Sequence, residues 1–211
     1  MDIFTVTLVA DGSSDANLLP IVNWVIHEKF PDLSFRSEFA QFLPPAGAGL
    51  KARISAAIRL TPCDVVLVHR DAENQSMQKR LDEISAELPP EAEMHIPVVP
   101  IRMSESWLLS DEQAIRSAAG NPNGDAELQL PGIDRWESMP DPKAALCSAL
   151  KRASGLHGRR LHRFNVYRAR NRIAEITGTF EPLRNLSGFA AMERRVEDAL
   201  LPHPLVQASL Y

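Results

Sequence analysis

Apolar positions along the chain fall into short blocks whose period switches between strand and helix. Ile3–Ala10 (IFTVTLVA) is a β-branched run closed by a polar turn, the pattern of a strand covered on both faces. Leu18, Ile21, Val22, Val25 and Ile26 follow at helical spacing, with Ser13 or Ser14 as the expected N-cap and Pro31 as the stop. Ser34–Ala40 alternates as a second strand, LPPAGAGL loops, and Leu50–Leu60 reads as a short amphipathic helix. Val65–Val68 repeats the first theme and ends in HRDAEN; residues 75–88 form a polar-faced helix stopped by Pro89-Pro90. Residues 94–102 read as a fourth strand, which Pro97 and Pro100 push towards a sheet edge. Ser104 is the expected cap of a helix reaching Ala119, with a restart at Ser110-Asp111.

This alternation predicts an α/β fold: a sheet of about four mainly parallel strands flanked by helices. Residues 1–120 form the expected first domain. Residues 121–141 lose all period, gather Gly, Pro and Asn, and read as a connecting loop. Residues 142–211 form a C-terminal helical extension, with helices expected over Lys143–Ala153, Leu161–Thr177 and Gly188–Leu201. They form either a small bundle or helices packed on the sheet.

Composition narrows the class without naming a chemistry. At 211 residues and 45% hydrophobic, the chain can bury one sizeable core, and 24% charged residues argue against wholesale disorder. A net charge of −4 excludes a uniformly basic nucleic-acid coat. Two cysteines, Cys63 and Cys147, form no CxxC and suit a reducing compartment. The first apolar run is too short to span a membrane and follows no basic region, so a cytoplasmic protein is expected, without a membrane partner.

The candidate chemistry lies just beyond the strands. In parallel α/β sheets, ligands gather at the carboxyl ends of the strands. Asp11 and Asp15 follow the first, Asp71 and Glu73 the third, and Glu105 the fourth. Acids after strands often serve only as helix caps, and Asp15 also suits a helix N-terminus. Their recurrence at three strand ends points instead to Mg²⁺ or Mn²⁺, which take hard oxygen ligands. Gathered carboxylates would otherwise repel and raise one another's pKa values. His69, two residues before Asp71, could orient a ligand or satisfy a backbone group, whereas Trp107, Leu108 and Leu109 read as core. No HExxH or Cys/His cluster supports zinc.

In order and spacing, LVADGSSDANLL, DVVLVHRDAEN and IPVVPIRMSESWLLSD resemble the TOPRIM fold of topoisomerases, bacterial primases and overcoming-lysogenization-defect (OLD) nucleases. The resemblance is closer to small, stand-alone TOPRIM-like proteins, covers residues 3–120, and implies a TOPRIM/Rossmann-like sheet. It implies that Asp11 replaces the family's glutamate as general base or metal ligand. It implies that Asp15, Asp71, Glu73 and Glu105 complete the metal set. OLD-type sites also use a lysine, for which Arg102 is the nearest basic candidate. Two departures stand out: Asp11 reaches about 1.5 Å less far than glutamate, roughly one C–C bond, and Glu73 stands where an aspartate is usual. Either the two compensate, or this chain has drifted from catalysis.

Residues 142–174 hold no acid, and Lys143, Lys151, Arg152, Arg159, Arg160, Arg163, Arg168, Arg170 and Arg172 are all basic. The segment reads as a solvated helix face or as a nucleic-acid contact, and its arginine content favours phosphate. The expected nucleic-acid contacts are Arg159, Arg160, Arg163, Arg168, Arg170 and Arg172. The expected function is Mg²⁺- or Mn²⁺-dependent phosphoryl transfer on nucleic acid, most simply DNA nicking or cleavage. With no GxxxxGK[ST], an ATPase such as OLD-type nucleases carry would be a separate chain; the resemblance then implies a role in defence against phage or plasmid DNA. The competing expectation is a non-catalytic TOPRIM-like module that binds a protein partner or nucleic acid. Topoisomerase and primase activities lack their further domains, and a phosphorelay receiver lacks its fifth strand and lysine.

Overall fold

The computed structural model describes residues 3–210; Met1, Asp2 and Tyr211 lie outside them. Four parallel strands, β1 (Phe4–Val9), β2 (Phe35–Phe39), β3 (Val65–His69) and β4 (His95–Val98), form one sheet in the order β2-β1-β3-β4. This is the α/β, Rossmann-like arrangement expected from the pattern. β3 reads as an apolar run up to His69, and β1 interrupts its own only at Thr5 and Thr7, because both of their faces are covered. Phe4, Val6, Leu8, Val65 and Leu67 face one layer, while Val9, Val66 and Val68 face the other. That is the period-2 alternation of a pleated strand. β4 lies at the edge, where Pro97, lacking an N–H, is tolerated.

Helices α2 (Leu50–Leu60) and α3 (Met77–Ala86) cover one face. Their Leu50, Ile54, Ala57 and Ile84 meet Val66 and Val68. The opposite face carries α1 (Leu18–Lys29), whose Leu18, Ile21, Val22, Val25 and Ile26 are all buried, as their spacing requires. The same core continues into α4 (Glu112–Ala118), α5 (Pro142–Ala153), α7 (Val166–Ile176) and α8 (Ser187–Leu200). Short α6 (Gly158–His162) and α9 (Pro204–Ser209) complete the helices among the described residues. Residues 121–141 bury Leu128 and Trp136 in that core, and the Trp136 Nε1–H donates to Pro131 O at 2.8 Å. The C-terminal helices and the sheet therefore share one apolar interior.

Local geometry departs from the sequence expectation in three places. Neither Ser13 nor Ser14 caps α1: a 3₁₀ turn, Ser13–Asn17, intervenes. The region after β4 is likewise a 3₁₀ turn, Ser104–Leu109, and α4 restarts after Asp111, whose Oδ1 accepts from Ala114 N at 2.9 Å. Ser104 spends its backbone N–H on Asp71 rather than capping a helix. The helix expected over Leu161–Thr177 is broken before α7, where the Asn165 side chain accepts from Arg168 N at 2.9 Å. In the second and third cases a side-chain acceptor, Asp111 or Asn165, captured an N–H that a continuous helix would have kept.

Because β2 lies on one side of β1 and β3 on the other, chain direction across the sheet reverses between β1 and β3. A crevice at the carboxyl ends of such a pair is where open α/β sheets bind ligands.

Candidate functional site

Asp71, two residues beyond β3, is the centre of this edge. Its Oδ1 accepts from Ser104 N at 2.8 Å, so the turn after β4 grips the loop after β3. The same loops are tied by Ala72 N to Pro100 O (2.9 Å) and Glu73 N to Arg102 O (2.8 Å). Glu73 (φ 54°) and Arg102 (φ 68°) both occupy the left-handed region. Non-glycine residues there cost of order 1 kcal/mol each and persist only where their surroundings fix them. Two such residues, bonded to each other beside Asp71, mark an imposed geometry.

Burial, then the charges of Glu105 and Asp15, push the Asp71 carboxyl up to about 8; Glu73 adds to this, and the Ser104 N–H opposes it. These charges come from the 3₁₀ turn after β1 and the one after β4, so three separate segments converge on one acid. His69 is buried at the end of β3, and its Nδ1 lies 3.0 Å from Val98 O. Burial pushes the imidazole down, against the nearby carboxylates of Asp15, Asp11 and Glu105. A neutral ring donating through Nδ1 leaves Nε2 bare towards Asp71 Oδ1, at 3.6 Å. At 3.6 Å the two side chains approach without a hydrogen bond.

The remaining acids have partners of their own. Asp15 Oδ2 accepts from Gly12 N at 3.0 Å, which fixes the turn after β1. Asp11 is half exposed, with Oδ2 3.3 Å from Arg70 Nε. Glu73 points largely to solvent, 3.7 Å from Arg80 Nη2. Glu105 is buried, with Oε1 2.7 Å from Nη1 of Arg170 on α7. Part of the expected repulsion is thus answered by arginines that the pattern of acids did not reveal; Arg70 stands directly beside Asp71 in sequence.

The charges of Glu105, Asp15 and Glu73 all act on the Asp71 carboxyl, while Asp11 is half exposed beside Arg70. Among the described residues, no group of three or more His, Cys, Asp or Glu side chains lies close enough to cage a metal as it stands. The donor chemistry nevertheless fits Mg²⁺ or Mn²⁺: hard oxygens surround one carboxyl whose proton a cation could replace. Mg²⁺ commonly keeps several waters and takes only one or two protein carboxylates.

Arg102 lines a cavity of about 270 Å³ with Glu73, Asn74, Met103 and Pro140, and its Nη1 donates to Asn74 Oδ1 at 2.5 Å. Of the six expected nucleic-acid contacts, Arg159, Arg160, Arg163, Arg168 and Arg172 are exposed. Arg170 is the correction: it is buried and belongs to Glu105, so it is no surface contact. α7 also packs beside the turn after β1, where Asn17 Nδ2 lies 3.4 Å from Asn171 Oδ1. The arginine-bearing helix therefore borders the carboxylate edge.

Comparison with known protein families, with curated proteins and with solved structures finds no match for the chain. Among the described residues, no helix is long and apolar enough to cross a membrane.

Proposed function

We propose that the protein is a Mg²⁺- or Mn²⁺-dependent phosphoryl-transfer enzyme acting on nucleic acid, most simply a DNA-nicking or DNA-cleaving nuclease. The observation that carries this reading is the approach of Asp15, Asp71 and Glu105, from three chain segments, at the switch point of a parallel sheet. Asp71 and its two neighbours would hold the cation, with Asp11 and Glu73 reaching it from the rim. When bound, such a cation activates water and stabilises the leaving oxygen. Arg102 would contact a reacting phosphate, and Arg159, Arg160, Arg163, Arg168 and Arg172 would position the backbone. His69 backs the loop from the end of β3, bonded to Val98 O rather than to Asp71. The two cysteines without a CxxC support a cytoplasmic setting, and the resemblance to OLD-type nucleases supports a separate ATPase chain as partner.

A second reading, a non-catalytic module binding nucleic acid or a protein, draws support from the arginines that already answer Asp11, Glu73 and Glu105. Metal binding separates the two. Calorimetric titration of Mn²⁺ and Mg²⁺ into the wild type and Asp71→Ala should give binding that the variant loses. Millimolar metal ignored by both proteins would sink the enzyme reading.

A further inference from the structure

Beside the carboxylate edge, the ends of β1 and β2 open onto a cavity of about 530 Å³, lined by Asp11, Gly12, Ser13, Phe42 and Arg53 among others. Its volume suits a small ligand. Two of its walls are unusual. Phe42 is 92% exposed, yet it holds φ 57°, a conformation that bulky residues rarely adopt. Its ring therefore recovers little burial for that strained backbone.

Arg53, from α2, is 7% exposed. Its Nη1 donates to Pro44 O, its Nη2 donates to Ala10 O at 2.6 Å, and its buried Nε has no partner. Carbonyl oxygens leave the guanidinium's charge uncancelled, and among the described residues no carboxylate pairs with it. A buried cation without a counter-ion is costly unless something anionic joins it. The one acid in the same wall, Asp11, is engaged by Arg70.

We propose that this cavity is a nucleotide subsite for single-stranded nucleic acid. One unpaired base stacks on Phe42, and its phosphate is drawn by the Arg53 charge and runs past Gly12 and Ser13 towards Asp71. The subsite rests on the phosphoryl-transfer reading for its purpose, and it adds the substrate class: an unpaired rather than a duplex strand. Phenylalanine offers no hydrogen-bonding group, so stacking on it tolerates any base, as in sequence-indifferent single-strand binding. A duplex, with its bases already stacked and paired, presents no ring to Phe42.

The test is fluorescence anisotropy with a labelled oligothymidine and a labelled duplex, in EDTA so that no cleavage intervenes. Wild type should bind the single strand. Phe42→Ala should weaken that binding by about tenfold, within the range for one stacked base, and leave duplex affinity unchanged. Phe42→Trp should restore single-strand binding. Because Phe42 lies on the surface, circular dichroism should show every variant folded. Single-strand affinity unchanged in Phe42→Ala, an equal loss on duplex, or no single-strand binding by wild type would each overturn the subsite. Calorimetry with Mn²⁺ keeps the two readings apart. Phe42-dependent binding without metal binding defeats the enzyme reading and leaves the subsite standing; metal binding with an immaterial Phe42 does the reverse.

Discussion

The Arg170 guanidinium lies 2.7 Å from the Glu105 carboxylate, and both side chains are buried, 65 residues apart in sequence. Removing one partner of a buried pair leaves the other charge uncompensated, at about 3–5 kcal/mol. Arg170→Met should lower unfolding stability by that order in urea titration. Arg170→Met combined with Glu105→Gln should recover most of the loss. A single variant as stable as wild type would mean that the pair does not hold α7 to the site.

Asp71 gives the site a pH signature with a definite sign. Its folded pKa, about 8, lies above its ordinary value of 3.8, so between those limits the folded state binds more protons than the unfolded one. Its contribution is therefore favourable at acid pH and is lost as pH rises through that window. Chemical denaturation of wild type and Asp71→Asn across pH 4–9 should show the difference shifting in favour of the variant as pH rises. A difference independent of pH would remove the raised pKa.

Metal should oppose that trend. If a cation displaces the Asp71 proton, apparent Mn²⁺ affinity should rise by about tenfold per pH unit below 8 and level off above it. Calorimetry in buffers of differing ionisation enthalpy should register close to one proton released. A pH-independent affinity would place the cation away from Asp71.

The exposed arginines should behave as phosphate contacts. Arg168→Ala with Arg172→Ala should weaken nucleic-acid binding similarly for all sequences. The salt slope on a single strand should fall by roughly 0.7 for each phosphate that an arginine no longer neutralises. Binding measured from low to physiological salt checks this; an unchanged slope would assign the arginines to solvent.

The sheet was readable because its central strands are apolar runs closed by polar turns, a signal that burial on both faces imposes directly. The positions of the acids were readable for the same reason: Asp11 and Asp71 each stand two residues beyond a strand, and Glu105 lies in the turn after β4. What the pattern obscured was compensation. Arg170 looked like one more member of a basic run, although it shares the inward face of α7 with Ala169, Ile173 and Ala174. That spacing was a usable signal. Its partner was not, because a contact across 65 residues leaves no local trace. Arg53 shares the inward face of α2 with Leu50, Ile54 and Ala57, the same usable signal as Arg170, whereas the exposure of Phe42 is set by surroundings that a loop sequence does not encode.

The Glu73 N to Arg102 O hydrogen bond makes the loops after β3 and β4 a single latch. β4 is a four-residue edge strand, and edges open first under local fluctuation. Were it to fray, Arg102 O would leave Glu73 N and Ser104 N would leave Asp71, so the acid would lose its donor as its loop is freed. The amides of Ala72, Glu73 and Ser104 should therefore exchange with solvent as one cooperative unit, and whatever binds Asp71 should slow all three together.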